Sequence, residues 1–192
     1  MSEIKMLKYV ESKLTFIDAG ANIGLVSKLV LARITNPNLR IIAYEPDIIA
    51  FNKLVLIEDY RFSARNSALL DYDGLAKLYR HFNFQSNLST TSSTLNATKT
   101  NVNSENTCMV ETLDIAKVSL NHGDNELVMK LDVEGSEYKV LNRLIRTGQI
   151  KKYAAIFCEF HPHKIRFGII KHILLVFWLR LTRNSSRIQN WH

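Results

Sequence analysis

Residues 16–27 have the sequence FIDAGANIGLVS, which joins an apolar run to two glycines, an aspartate and an asparagine. Glycine and asparagine are unfavourable inside strands and helices, but both suit a backbone that turns sharply. The apolar residues predict a buried strand over 14–19, and GLVSKLVLARIT (24–35) predicts an amphipathic helix. The turn therefore follows a strand, at the place where open α/β sheets bind their ligands.

The same alternation continues along the chain. Apolar runs predict further strands over 40–46, 125–133 and 153–160, and amphipathic patterns predict helices over 47–60 and 136–149. Alternating strands and helices indicate the α/β class, with a doubly wound and mostly parallel sheet. We expect a single domain over the whole chain, because 192 residues suit one contiguous core.

The middle of the chain has a different composition. Residues 71–82 predict a turn at Gly74 followed by a short strand. Residues 83–107 are rich in Ser, Thr and Asn and are nearly free of large apolar side chains. That stretch is too long for an ordinary connection, so we expect either a functional loop over an acceptor or local disorder.

Composition limits the cellular setting and the partners. The only two cysteines lack CxxC spacing, which disfavours a disulfide scaffold or a zinc site and favours a reducing, cytoplasmic location. The first residues lack the apolar core of a signal peptide. The net charge is +7, but no motif of a specific nucleic-acid site is present.

The apolar run over 169–181 contains Lys171, His172 and Arg180. It is too short and too charged for a membrane span, which needs about 20 apolar residues. We expect a buried element here, with an interfacial helix as the alternative. Basic residues in the last third of the chain are consistent with weak association with a membrane surface.

Glu45 ends the second predicted strand, 21 residues after Gly24. An acid at that place can hydrogen-bond both ribose hydroxyls of a nucleotide-like cofactor. D-x-G-x-N-x-G differs from the NAD fingerprint, and the chain has no G-K-[ST] for a P-loop, so S-adenosylmethionine remains the best candidate. Asp18 could hold its ammonium group directly or through water. The plain alternative is a glycine turn with only a structural role.

Four segments together resemble the FkbM family of methyltransferases. They are FIDAGANIGLVS, AYEPD, NSALLDYDGLAKLYR, and VETLDIA followed by MKLDVEGSEYKVLNRL, and they occur in that order. The resemblance implies a Rossmann-like class I methyltransferase fold, here with a shortened C-terminal part. It also implies S-adenosylmethionine as cofactor and a hydroxyl acceptor on a sugar, a glycan or a secondary metabolite.

The resemblance further implies roles for individual residues. A cofactor half over about 14–70 would supply the methionine-side loop, the ribose acid and the residues near adenine; these are Asp18, Gly20, Asn22, Gly24, Glu45, Asn66 and Ser67. A late catalytic segment over about 125–163 would follow the acceptor loop. An RNA methyltransferase and a non-catalytic S-adenosylmethionine-binding protein remain alternatives.

KLDVEGSE puts several charged side chains at the end of the 125–133 strand. A hydroxyl acceptor needs a base, and Asp132 is the first candidate for base or acceptor orientation, with His161 the second. Four further residues are candidates for contacting the acceptor, namely Ser92, Ser93, Glu134 and Glu137. Lys130 is expected in an ion pair. Asp132, Glu159 and His161 could hold a divalent ion, but we expect no metal.

Overall fold

The computed structural model describes residues 14–81, 93–95, 102–122 and 125–191. The strands of this part are β1 Leu14–Ala19, β2 Arg40–Tyr44, β3 Phe62–Arg65, β4 Ala68–Leu70, β5 Gly74–His81, β6 Val102–Asp114, β7 Glu126–Leu131, β8 Tyr153–Cys158 and β9 Ile188–Asn190. The helices are α1 Leu25–Arg33, α2 Ile48–Leu54, α3 Ile115–Leu120, α4 Glu137–Arg146 and α5 Gly168–Leu181.

The main sheet is parallel and has the strand order β3-β2-β1-β7-β8-β9. β1 lies in the middle of it, and all of its residues are buried, as the apolar run predicted. In the register, Ala19 at the end of β1 stands opposite Tyr44 of β2 and Leu131 of β7. The turn after β1 is therefore flanked by the chain leaving β2 and the chain leaving β7.

Helices cover both faces of this sheet. α3, α4 and α5 pack on one face, where their apolar residues join a core with β1, β7 and β8. α1 packs on the opposite face against Phe16, Ile41 and Phe157, and α2 contributes Leu54 to a smaller cluster with Ala21 and Ala43. The predicted doubly wound, mostly parallel α/β fold is confirmed.

A second sheet has the strand order β4-β6-β5. β5 begins at Gly74, which agrees with the predicted turn and strand, and it pairs antiparallel with β6. The expected loop over 83–107 is wrong at its end, because residues 102–107 belong to β6. Strands pair through backbone N–H and C=O groups, so a polar stretch can form one without a fully apolar sequence.

The helix expected over 47–60 is shorter, since α2 ends at Leu54. Asp47 caps its first turn by accepting from the amide of Ile49 at 3.0 Å. After Val55 the chain turns back, and the side chain of Ile57 packs against the cluster beneath the first turn. Packing of the partly buried Ile57 there requires the chain to leave the helix earlier than the apolar pattern predicted.

The run over 169–181 forms most of α5, but the expectation of a buried element is wrong. Only Gly168, Leu175 and Leu179 of this helix are buried. A helix packed on one face of a sheet buries a single stripe, so a run that is apolar all round leaves large side chains in solvent. Within the described residues no helix is both long and apolar enough to cross a membrane.

Asp114 joins the second sheet to the helices of the main sheet. Its carboxylate accepts from the amide of Ala116 at 2.9 Å, capping α3, and from Nε of Arg143 on α4 at 3.0 Å. Its own amide donates to Asp73 at 2.7 Å. The Arg143 hydrogen bond holds the pKa of Asp114 below its usual value. One buried carboxylate thus fixes β6, α3 and α4 to one another.

We expect Asp114→Ala to lower the free energy of unfolding by about 2 kcal/mol, because it removes a helix cap and a hydrogen-bonded ion pair together. Asp114→Asn keeps a capping oxygen and should cost less. Urea denaturation at neutral pH measures both, with Glu58→Gln, an exposed acid that follows α2, as the control. Equal stability of Asp114→Ala and the parent protein would contradict this role.

Candidate active site

A cavity lies where the chain leaves β1, β2 and β7. Its walls come from the turn after β1, the end of β2 with Glu45, the residues after β7, and residues 93–95. Apolar side chains from β4 and β5 complete it. We call this space the strand-end cavity. It lies at the carboxyl ends of parallel strands, as the sequence predicted.

Steric contacts explain why the turn has glycine at two positions. Gly20 has φ of 75°, and a Cβ there would collide with the carbonyl oxygen of Asp132. Gly24 has φ of 82°, and a Cβ there would lie 2.7 Å from Cδ1 of Leu54 and would also meet Ile57. Any larger residue would push the turn away from β7 or from α2.

The backbone amides of this turn donate hydrogen bonds to the end of β2. Those of Gly20 and Ala21 both donate to the carbonyl oxygen of Tyr44 at 3.0 Å. The amide of Asn22, whose φ is 52°, donates to Oε2 of Glu45 at 2.8 Å. The turn is therefore fixed to the end of β2 by backbone hydrogen bonds.

Glu45 is held in one orientation beside the cavity. Its Oε1 accepts from the amide of Asp47 at 2.8 Å, while Oε2 accepts from Asn22, and the residue is 7% exposed. Burial raises the pKa of Glu45 to about 7, against the opposing effect of these two hydrogen bonds. Each carboxylate oxygen keeps a lone pair for a further donor, such as a ligand hydroxyl.

Lys130 connects the turn to the end of β7. Its Nζ donates to the carbonyl of Gly20 at 2.7 Å and lies 3.3 Å from Asp132 Oδ2 and 3.7 Å from Asp18 Oδ1. Burial lowers the pKa of Lys130, but these two carboxylates outweigh it, so the pKa is raised. Asp18 is fully buried and accepts from Oγ of Ser27 at 2.7 Å. The expected ion pair is present, and Asp18 lies beneath the turn.

The chain after β7 makes a tight turn closed by Glu137. Glu134 and Gly135 have φ of 53° and 108°. Both carboxylate oxygens of Glu137 accept from the amide of Gly135 at 3.0 Å, and Oε1 also accepts from Val133 at 3.3 Å. Glu137 is completely buried, and Glu134, not Glu137, lines the cavity with Asp132.

His161 lies behind this turn and is 5% exposed. Its Nδ1 is 3.0 Å from Oε1 of Glu137, and its Nε2 is 3.4 Å from Glu159 and 3.7 Å from Glu134. Asp132, Glu137 and His161 bring one ligand atom each within 4.8 Å of one another, a spacing that a cation could use. The Glu137 oxygens already accept hydrogen bonds from backbone amides. These contacts therefore favour a role in orienting the His161 imidazole over a role in binding a cation.

Residues 93–95 cross one side of the cavity. Thr94 exchanges two backbone hydrogen bonds with Tyr79 of β5, at 2.8 and 2.9 Å, and its hydroxyl donates to the carbonyl of Glu134 at 2.6 Å. The hydroxyl of Ser93 donates to Asp47 at 3.1 Å. Ser93 was predicted here, but Thr94 and Leu95 were not, and only the hydroxyl-rich composition of the stretch hinted at them. Ser92 lies outside the described residues.

Asn66 and Ser67 are not among the residues that line the strand-end cavity. The side-chain amide of Asn66 donates to the carbonyls of Glu45 and Pro46 at 2.9 and 3.1 Å, and Ser67 is buried. Their chain neighbours Ala68 and Leu69 line the cavity instead. Asn66 thus supports the backbone that presents Glu45.

Asp47 contributes to the site, although the sequence placed it only at the start of a predicted helix. It is fully buried, and its Oδ2 accepts from Nε of Arg80 on β5 at 3.0 Å as well as from Ser93. This hydrogen bond raises the pKa of Arg80. The carboxylate ties the second sheet and residues 93–95 to the end of β2.

The fold is similar to the crystal structure of methyltransferase FkbM from Methylobacillus flagellatus KT, with a TM-score of 0.50 and 14% sequence identity. The match covers 86% of this chain and 36% of that one, so this chain spans little more than a third of the length of the solved protein. No curated protein matches the chain. The family model of the methyltransferase FkbM domain matches residues 18–183. The chain therefore belongs to the FkbM methyltransferase family.

Proposed function

We propose that this chain is a single-domain, S-adenosylmethionine-dependent methyltransferase that acts on a hydroxyl of a sugar, a glycan or a secondary metabolite. The observation that supports it most is the Glu45 carboxylate, which is buried, is oriented by two backbone amides and lines the strand-end cavity. Family membership supports methyl transfer in general.

The residues around the cavity fit this cofactor. Gly20 and Asn22 bring the turn to the cavity with no side chain at Gly20, and Glu45 offers two oxygens to the ribose hydroxyls. We infer that Gly20, Asn22 and Gly24 shape the methionine side, while Asp18 acts from below through Lys130. When bound, S-adenosylmethionine supplies an electrophilic methyl group.

Asp132 is the proposed base. A hydroxyl attacks well only if its proton is removed during attack, and the carboxylate of Asp132 borders the cavity while Lys130 Nζ lies 3.3 Å away. Asp132 would accept the proton, leaving the acceptor oxygen free to form the new bond. Oδ1 of Asp132 is buried and makes no hydrogen bond with any described residue, so it would reach a substrate hydroxyl if the side chain turned toward the cavity.

His161 is the second candidate, and Glu137 is proposed as its positioning residue. Contact of Nδ1 with Glu137 turns Nε2 toward Glu134 and Glu159. An imidazole fixed in this way can accept a proton through a neighbouring carboxylate or water. Since Glu137 is buried, it serves as this support, and Glu134, Ser92 and Ser93 are the candidates for contacting the acceptor.

The direct test is transfer of a labelled methyl group from S-adenosylmethionine to a library of sugars, glycans and hydroxylated metabolites, after mass spectrometry of any ligand that co-purifies. Methylation of a hydroxyl compound would support the proposal. Cofactor binding without turnover on the full library would favour the non-catalytic alternative. Methyl incorporation into RNA would mean that the acceptor is RNA and not a hydroxylated small molecule or glycan.

We expect the affinity for S-adenosylmethionine to fall as the pH decreases through about 7, the pKa to which burial raises Glu45. Above this pH the carboxylate is ionised and accepts from two hydroxyls, whereas protonation removes part of that capacity. If only the ionised form binds, Kd should be about tenfold higher one pH unit below the pKa. Titration calorimetry between pH 6 and 8.5 measures it.

Glu45→Gln is the control for that profile, because it cannot ionise. It should bind at least about tenfold more weakly at high pH, the loss expected for one charge-assisted hydrogen bond. Its profile should retain only the titration of the ligand itself. Identical profiles for the two proteins, with circular dichroism confirming that both are folded, would remove Glu45 from cofactor binding.

We expect Asp132→Asn to lower kcat by about 10²- to 10⁴-fold, the usual contribution of a general base, while Kd for the cofactor changes little. The amide cannot take the acceptor proton, but it keeps the shape of the side chain. Steady-state kinetics and calorimetry separate the two effects. Glu126→Gln, at the exposed opposite end of β7, is the matched control. Unchanged turnover in Asp132→Asn would exclude it as the base.

A further inference from the structure

The outer side of α5 is a broad apolar surface. Its members are each 40–70% exposed and follow one another on adjoining turns of the helix: Ile169, Ile170, Ile173, Leu174, Phe177, Trp178 and Leu181. Successive members are one or three residues apart, so they form one continuous side opposite the buried stripe of Leu175 and Leu179. We call it the α5 face. A contiguous surface of this kind marks an interaction site in native proteins.

The charge around the α5 face is of one sign. Residues 160–192 contain no aspartate or glutamate, and Lys171 and Arg180 are exposed on the helix itself. Among the described residues, neither of these two cations is paired with a carboxylate. Arg183 adds a further exposed cation just after the helix. The partner of this surface must therefore offer negative charge beside apolar material.

A cleft between α4 and α5 adds to this arrangement. Lys139 and Arg146, exposed on α4, face Lys171 of α5 across it, and the apolar side chains of Leu174 and Trp178 form its wall. Three cations around one cleft suit a phosphate group, while the adjoining apolar wall suits an acyl chain. Trp178 lies at the boundary between the two, a position that tryptophan favours at membrane interfaces.

We propose that the α5 face docks this domain on an anionic phospholipid surface, with the helix lying in the plane of the membrane. The helix has 14 residues and is about 21 Å long, which is too short to cross a hydrocarbon core of about 30 Å. Apolar side chains enter the acyl boundary, and the cations at the edge of the face pair with lipid phosphates.

A second copy of the chain fits the same surface less well. In a two-fold dimer the same patch meets itself, so Lys171, Arg180 and their neighbours would face equal charges with no acid from residues 160–192 to compensate. An anionic bilayer supplies the missing negative charge on every side. Charge complementarity therefore selects the lipid surface.

The first test is co-sedimentation with vesicles of phosphatidylcholine alone and of phosphatidylcholine with phosphatidylglycerol. Binding should require the anionic lipid and weaken as salt is added. The chain has two tryptophans, so Trp191→Phe leaves Trp178 as the sole indole reporter. Its emission should shift to shorter wavelength with anionic vesicles. If the protein binds neither kind of vesicle, or binds both kinds equally, the proposal is overturned.

Variants separate the two parts of the surface. Ile173→Ser with Phe177→Ser should reduce vesicle binding at least about tenfold, since two large apolar side chains no longer enter the membrane. Lys171→Gln with Arg180→Gln should remove the preference for anionic lipid. Leu56→Ser is the matched control, because Leu56 is 74% exposed and follows α2, at the other end of the sheet from α5. It should bind like the parent protein.

Two outcomes would assign the α5 face to another occupant. Sedimentation equilibrium measures the oligomeric state of the parent protein and of the Ile173→Ser, Phe177→Ser variant. A dimer that is present in the parent protein and lost in the variant would mean that a second copy covers the face. A large drop in melting temperature for that variant, together with short-wavelength Trp178 emission before vesicles are added, would mean that the chain itself covers it. Either result overturns the membrane proposal.

Discussion

The contact of Gly20 with the carbonyl of Asp132 is the constraint on which the site depends. It brings the turn after β1 against the end of β7, and no side chain fits between them. Lys130 bonds the Gly20 carbonyl from below, while the amides of the turn bind the end of β2 from the other side. Three strand ends thus become one rigid wall, and Glu45 and Asp132 keep their separation because of it.

The sequence predicted this wall well because its causes are local. A buried strand has a continuous apolar pattern, a close backbone approach needs glycine, and an acid at a neighbouring strand end is recognisable by its spacing. The sequence therefore predicted that Gly20, Asn22 and Glu45 lie at one site, and all three line the cavity. The α/β class and the mostly parallel sheet followed from the alternation of strands and helices, which restricts the possible topologies, but the strand order came only from the structure.

Other features depend on contacts between distant parts of the chain, and the sequence did not predict them. Thr94 lines the cavity only because Tyr79 offers it an open strand edge. Glu137 was predicted to contact the methyl acceptor because it begins a helix near the site. Its hydrogen bonds to backbone amides instead hold the side chain in the interior. The burial of α5 was misjudged because apolar composition gives no information on whether a partner is present.

The hydrogen bonds of residues 93–95 have a consequence for ligand traffic. Ser93 and Thr94 attach to Asp47, Tyr79 and Glu134, which belong to different elements around the cavity. Displacing this crossing segment breaks those bonds nearly together, so it opens as a cooperative unit and not by gradual fraying. Opening this side of the cavity would therefore require all three attachments to break.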